Sequence, residues 1–308
     1  MKLSPQVTQT ARGRTPQLIL WAALALLATA LPARAEIALQ DDSGAPLRLK
    51  APARRIVSLA PHITENLYAA GAGDRLVGTV DYSDYPAAAK RLPRVGGYSN
   101  LDLEAIAALK PDLVIGWESG NAPGHIAKLK SLGLPVFLSQ PNRIEDVARQ
   151  LEQFGRLAGS ETVANDAARQ FRTRLAGLQK QYGSRPAVRT FYQIWKQPLM
   201  TVGRQQIISD VIHLCGGDNV FGQLDQMAPK VSEEAVLAAN PEAIVASGMG
   251  DARPEWLDDW RRWKTLAAVK RDNLFFVSPE LIQRHSPRLL DGAEQLCRHL
   301  ETARQRRP

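Results

Sequence analysis

Leu101–Ile115 reads LDLEAIAALKPDLVI, and Val231–Val245 reads VSEEAVLAANPEAIV. The two stretches align without a gap at a constant offset of 130 residues, Leu101 onto Val231. Glu104 and Glu234, Ala105 and Ala235, Ala108 and Ala238, and Pro111 and Pro241 are identical pairs. Asp102 and Ser232 both stand where a helix N-cap belongs. Each proline ends its helix and a short apolar strand follows. One helix-to-strand unit used twice predicts two α/β lobes of the same architecture.

The flanking sequence supports this reading. Before the first copy, Arg55–Leu59 is a β-rich run, Thr64–Gly71 reads as a helix stopped by glycine, and Leu76–Val80 is a second strand. After it, Ile126–Leu132 reads as a helix and Val136–Leu138 as a strand. Strands alternating with helices imply a largely parallel sheet. From Ile144 to Tyr182 the pattern changes. Val163, Ala167, Phe171, Leu175, Leu178 and Tyr182 recur at helical spacing with no internal proline. Glu161–Gln181 would make a helix ~30 Å long. A second series follows in Thr190–Ile194, Ile207–Leu214, Ala243–Ala246 and Leu274–Val277. The fold class is therefore α/β, with two Rossmann-like lobes joined by one long helix. The expected division is an N-terminal lobe at 36–158, a linking helix at 159–184 and a C-terminal lobe at 185–308, each lobe having its own core.

Residues 1–35 read as a secretory signal peptide. Lys2, Arg12 and Arg14 give a basic start, Leu18–Leu31 is apolar, and Ala33-Arg34-Ala35 offers small residues for cleavage after Ala35. The apolar run is shorter than the ~18 to 20 residues of a spanning helix. No cysteine sits at the cleavage site, so a soluble periplasmic protein is expected. Removing this segment takes away four basic residues and about half of the formal charge of +8. No basic stripe interleaved with aromatics speaks for nucleic acid. Cys215 and Cys297 are the only cysteines, and export favours pairing them. The alternative is a Cys2His2 metal site, since His213 precedes Cys215 by two residues and His299 follows Cys297 by two.

Catalytic signatures are missing from the sequence: no G-x-S-x-G, no P-loop, no G-x-G-x-x-G and no H-E-x-x-H. No catalytic residue, resident cofactor or metal site is assigned. A cleft between two lobes is the default place for a ligand, lined by residues just after the strands. Those positions hold Pro61-His62-Ile63, Asp81–Pro86 with Tyr82 and Tyr85, Tyr98, Trp117–Asn121, Trp195–Met200 and Glu280–His285. Tyr82, Tyr85, Tyr98, Trp117 and Trp195 suit a broad, flat, partly apolar ligand. Trp256, Trp260 and Trp263 fall on one helical face and read as packing. Glu104 and Glu234 complement helix dipoles. Their matched placement, one per lobe, also suggests charges that meet arginines of a two-fold partner.

The run RIVSLAPHITENLYAAGAGDRLVG, with DYSDYP, LDLEAIAALKPDLVIGW, CGGDNVF and SPRLLDGAEQLC, resembles the vitamin B12-binding proteins of bacterial BtuCDF importers. These belong to the helix-linked, class III substrate-binding proteins of ABC transporters. The likeness runs from about Arg54 to Leu300. It implies a periplasmic carrier, a monomer when free, that captures cobalamin or a related corrinoid and hands it to an inner-membrane permease–ATPase complex. It implies that Tyr82 and Trp117 touch the corrinoid and that Glu280 and Arg284 reach its amide side chains. Glu104 and Glu234 fall on the docking glutamates, and Cys215 and Cys297 on the disulfide. Three departures stand out. Tyr98 replaces a tryptophan, a second-lobe tryptophan is absent near Met227-Ala228, and His285 stands where a small residue is expected. His285 reads as a solvated loop residue, or else as a ligand to cobalt or haem iron. A haem or ferric-siderophore carrier is the rival on the same fold. A periplasmic enzyme or sensor domain is the rival of another class.

Overall fold

A computed structural model describes residues 1–6, 36–248, 250 and 252–308. The apolar run of the expected signal peptide and its cleavage site lie outside the described residues. Residues 37–308 form one compact unit.

The first half runs β1 (Ile37–Gln40), β2 (Pro46–Leu49), β3 (Ile56–Ser58), α1 (Pro61–Ala69), β4 (Leu76–Thr79), β5 (Gly96–Gly97), β6 (Asn100–Leu101), α2 (Leu103–Ala108), β7 (Leu113–Trp117), α3 (Pro123–Ser131) and β8 (Val136–Ser139). Helices α4 (Ile144–Ala158) and α5 (Glu161–Tyr182) follow. The second half runs β9 (Val188–Gln193), α6 (Ile207–Leu214), β10 (Gly217–Asn219), α7 (Glu233–Ala239), β11 (Ala243–Ala246), α8 (Ala267–Lys270), β12 (Leu274–Phe276), α9 (Pro279–Ile282) and α10 (Leu289–Gln305). One parallel sheet has the order β4-β3-β7-β8 and the other β10-β9-β11-β12. Each half therefore visits its four strands in the same sequence, second, first, third, fourth.

The internal repeat reappears atom by atom. The Asp102 carboxylate accepts from Ala105 N, and the Ser232 hydroxyl accepts from Ala235 N. Lys110 and Asn240, again 130 apart, both turn left-handed after their helices, with φ of 46° and 43°. Asp112 accepts from Arg55 N, while the Arg55 guanidinium donates to the carbonyl of Leu109. In the other lobe Glu242 accepts from Arg189 N, and the Arg189 guanidinium donates to Ala239 O. The same basic residue thus closes the C-terminal end of the same helix in both lobes.

Alternation along the strands buries both faces of each sheet. Ile56, Leu113, Ile115 and Phe137 enter a central core together with Val188, Tyr192, Ala243 and Val245 of the second sheet. Val57, Val114, Val136 and Leu138 face a satellite core in the first lobe, and Phe191, Ile244 and Ala246 face another in the second. The lobes do not have separate cores, as expected from length; one apolar cluster is continuous through both. Helix α5 contributes Ala164, Ala168, Phe171, Leu178 and Tyr182 to it. Each large apolar side chain so buried is worth ~1.5 to 3 kcal/mol. Of the expected stripe, Phe171, Leu178 and Tyr182 are buried and Ala167 and Leu175 pack partly buried against the core; only Val163 departs, being exposed, and Ala164 takes the inner place there. Ala164 approaches α4 closely: a Cβ on Gly155 would lie 2.2 Å from its Cβ. Trp256 and Trp260 lie on a 3-10 helix, Glu255–Arg262, and Trp263 just beyond it, all three packing in the second satellite core.

Cys215 and Cys297 form a disulfide between the end of α6 and α10, with Cα atoms 4.6 Å apart. His213 is exposed, and His299 bonds to Phe276 O and stacks on Phe275. The metal alternative for these four residues is thereby overturned. The bond spans 82 residues, for which chain entropy predicts a stabilisation of about 4 to 5 kcal/mol. Urea unfolding of the Cys215→Ala/Cys297→Ala protein should show a loss of that order relative to the oxidised chain. An unchanged midpoint would contradict the assignment of this role to the disulfide.

Candidate functional site

The site grows from the C-terminal ends of β3 and β7. Pro61 and His62 do not lie in a loop, as expected, but in the first turn of α1, where proline at N1 is at ease. Both are buried. Trp117 closes β7, and the Asn121 side chain fixes it. Asn121 Oδ1 accepts from Trp117 N, while its Nδ2 donates to Leu59 O and Tyr98 O. One amide thus ties two strand ends and the Tyr98 loop together. Gly120 permits the ring's position, since a Cβ there would sit 1.9 Å from Trp117.

Around Trp117 four rings meet. His62 stands edge-on to it with centroids 5.2 Å apart, Tyr98 is tilted at 5.7 Å, and His285 is edge-on at 6.1 Å. His62 and His285, from different lobes, are 5.2 Å apart. Trp117 Nε1, His62 Nε2 and His285 Nδ1 are buried without hydrogen-bond partners. Each such group costs ~1 to 3 kcal/mol unless something completes it. A cavity of about 270 Å3 opens beside them, lined by Trp117 and Ser119 of the first lobe and by Ile194, Gln206, Ile208, Met227, Ala228, Gln283 and His285 of the second. A larger depression of about 640 Å3 lies elsewhere, walled by the second lobe with Arg143 of the first at its edge. Its Arg143 and Asp210 are already paired with each other and Asp210 also accepts from Ile144 N, so the aromatic cavity is the better site.

The two lobes interlock below the rings. Asn66 Nδ2 donates to His285 O, and Ser286 donates to the buried Glu65 carboxylate at 2.6 Å. Arg288 lies 3.4 Å from Glu65 and covers the Tyr85 ring at 4.1 Å. Burial raises the Glu65 pKa, opposed by the Ser286 bond and the Arg288 and Arg284 charges. A hydroxyl chain, Ser58–Thr64–Thr79–Ser83, holds the Tyr82–Tyr85 loop from beneath.

The other expected residues are scattered about this centre. Tyr82 is 68% exposed with φ of 61°, and its carbonyl accepts from Arg284. Arg284 and Glu280 pair with each other at 2.8 Å. Trp195 is partly exposed, donates to Gln197 O in its own loop, and does not line the cavity. Glu104 and Glu234 are exposed in the first turns of α2 and α7, away from the ring cluster in their bonding. His285 is only 3% exposed, so its reading as a solvated loop residue is overturned. Sequence reasoning missed Glu65, Asn66, Ser286 and Arg288, although TEN and SPR stand in the quoted motifs. It also missed Gln206 in the cavity wall, and named Gln283 only as part of the segment Glu280–His285. Among the described residues no cluster of three or more His, Cys, Asp or Glu is placed to hold a metal, and no helix is long and apolar enough to cross a membrane.

Two similar α/β lobes around an aromatic cleft define a substrate-binding protein, and the chain belongs to the periplasmic binding protein family, which it matches over residues 56–281. Among its relatives is the vitamin B12-binding protein of Vibrio cholerae serotype O1, 40% identical over 253 residues, or 82% of this chain and 91% of that protein. The crystal structure of the periplasmic vitamin B12 binding protein BtuF of Vibrio cholerae matches with a TM-score of 0.76 and 39% identity, covering 82% of this chain and 99% of that one. A periplasmic heme-binding protein from Pseudomonas aeruginosa matches with a TM-score of 0.67 and 27% identity, over 80% and 91% of the two chains. The resemblance read from the motifs is borne out.

Burial lowers the His285 pKa to about 4. It lowers that of His62 well below 6.5 too, helped by the neighbouring His285 and Arg284 charges. Between pH 6.5 and 4 the unfolded chain therefore binds protons that the folded chain does not. Stability is undiminished above pH 6.5 and falls as pH drops through that window, by up to about 3 kcal/mol from His285 alone. Glu65 has the opposite sign, so the comparison must be with a variant. Denaturation of wild type and His285→Phe across pH 4–7 should give a shallower slope for the variant; parallel curves would refute the assignment.

Proposed function

We propose that this chain is exported by its N-terminal segment, captures cobalamin or a related corrinoid between its lobes, and delivers it to an ABC importer. The observation that carries the reading is the cluster of Trp117, Tyr98, His62 and His285, with three unpartnered nitrogens, beside a cavity walled by both lobes. Flat apolar surface suits the face of a macrocycle, and polar atoms lacking partners suit its amide-bearing rim. The enclosed volume of about 270 Å3 is below the ~300 to 1,000 Å3 of ordinary ligand pockets. A corrinoid would therefore lie across the mouth, among the exposed Tyr82, Tyr85, Tyr98 and Trp195, with only part of its rim inside. The work is binding and transfer rather than catalysis.

The chain lacking residues 1–35 should retain cyanocobalamin through gel filtration, with quenched Trp117 fluorescence, and Trp117→Ala should weaken binding at least about tenfold. Retention of haemin or a ferric siderophore in place of cobalamin would refute the corrinoid reading.

Glu104 and Glu234 support delivery. They occupy equivalent, exposed positions, one per lobe, as a two-fold permease with paired arginines would require. Reversing both, Glu104→Arg with Glu234→Arg, should leave corrinoid binding intact and abolish uptake in cells that depend on this protein. Undiminished uptake would exclude the docking role.

A further inference from the structure

The wall of the interlobe cavity carries two side-chain amides, and one end of each is already spent. Gln206 Oε1 caps α6 by accepting from Ile208 N, and Gln283 Nε2 donates to Ser247 Oγ, each at 2.5 Å. Among the described residues the opposite ends, Gln206 Nε2 and Gln283 Oε1, have no partner. Both residues line the cavity and both are partly exposed. Neither free end is among the side-chain atoms buried without a partner, so an incoming ligand can reach them. One open N–H donor and one open carbonyl acceptor are the complement of a single primary carboxamide, which has one of each to offer.

The rest of the wall decides which charge such a group can carry. Trp117, Ile194, Ile208, Met227 and Ala228 are apolar, and no lysine or arginine is among the lining residues. Burial keeps His285 neutral near pH 7. Arg284, next in the chain, is turned to Glu280 at 2.8 Å and to the Tyr82 carbonyl. A carboxylate entering this space would lose its water and meet no opposite charge, the costliest kind of burial. A neutral amide also loses water, but it recovers a bond at its oxygen and another at its nitrogen. In about 270 Å3 the two glutamines share one small space, with room for a side arm and not for the ring that bears it.

Resting on the carrier reading above, we propose that this cavity is a subsite for one propionamide arm of the corrinoid. The arm's C=O accepts from Gln206 Nε2, its NH2 donates to Gln283 Oε1, and the macrocycle stays at the mouth. The propionamide is the longer of a corrinoid's two kinds of primary amide arm, and so the one with reach into a recess. Gln206 and Gln283 are then specificity-determining residues, and what they select is charge: a neutral amide is admitted and a carboxylate of the same shape is refused. Haem, whose arms of that length end in carboxylates, is excluded on the same ground.

The test uses the chain lacking residues 1–35 with cyanocobalamin and its separated monocarboxylic acids, in each of which one propionamide is hydrolysed to a propionate. Two variants accompany the wild type. Gln206→Glu keeps the oxygen that caps α6 and removes the donor, and Gln283→Lys places a cation in the wall; circular dichroism and gel filtration check that both are folded. Wild type should bind one of the acids at least about a hundredfold more weakly than cyanocobalamin, and the others within about threefold of it. Gln206→Glu should weaken cyanocobalamin about tenfold. Gln283→Lys should bind the refused acid at least about tenfold more tightly than wild type does, a gain that a damaged fold could not produce. If every acid binds as cyanocobalamin does, if all are weakened alike, or if either variant fails to shift affinity as stated, the subsite is wrong while the carrier reading stands. If wild type retains no cyanocobalamin, both are wrong.

Discussion

Everything in this molecule depends on one apolar cluster that does not stop at the lobe boundary. Each sheet is buried on both faces, and the inward-facing residues of both, among them Ile115, Phe137, Tyr192 and Val245, meet the same helices. Helix α5 alone is ~33 Å long at 1.5 Å per residue, and Phe171, Leu178 and Tyr182 seat it along that core. Separating the lobes by hinge motion would expose part of the cluster, at ~25 cal/mol for each Å2 uncovered. A cleft on such a frame is set largely by side chains at its lip.

That rigidity explains how the cleft can hold unfavourable chemistry. A buried carboxylate is costly unless paired, and Glu65 is matched by Ser286, Arg288 and Arg284 from the opposite lobe. Asn66 adds a bond to His285 O. Beside this layer, in which Asn66 Oδ1 and Arg288 Nε also lack hydrogen-bond partners, lie three nitrogens with none, on Trp117, His62 and His285. The layer resists the collapse that would let those nitrogens satisfy themselves. Unmet hydrogen-bonding capacity is thereby stored at the place where a ligand would arrive.

Much of the fold was legible because its signals are local. The caps Asp102 and Ser232 and the prolines at 111 and 241 mark the repeated unit, and their geometry repeats with them. Ile207–Leu214, named as one segment of the second series, is a helix with those same bounds. Strand β10 was not legible, since Gly-Asp-Asn has little β propensity and is placed by pairing with Val188–Thr190. Val163 is the one member of the helical stripe that misled, since Ala164, packed close against Gly155 of α4, takes the inner place. In the site, position after a strand pointed to Trp117 and His285, which line the cavity, and Tyr98, read as preceding the repeat helix, packs on Trp117. It failed for Trp195, whose indole N–H is spent on Gln197 O in its own turn. Glu65 and Arg288 were hidden for a general reason: an acid and a base 223 residues apart become partners only once both lobes are built.

The second lobe shows what a departure from the family pattern does physically. Near the position where the resemblance implied a tryptophan, Met227 and Ala228 line the cavity. Alanine leaves room, and methionine offers a flexible, polarizable edge rather than a flat plate. Trp195 does not refill that wall, being exposed and bonded within its own loop. Flat contact is therefore concentrated on the first lobe, at Trp117 and Tyr98, while the second lobe presents Gln283, Gln206 and the His285 imidazole. An asymmetric cleft of this form distinguishes the two faces of a planar ligand, one resting on rings and the other meeting polar groups.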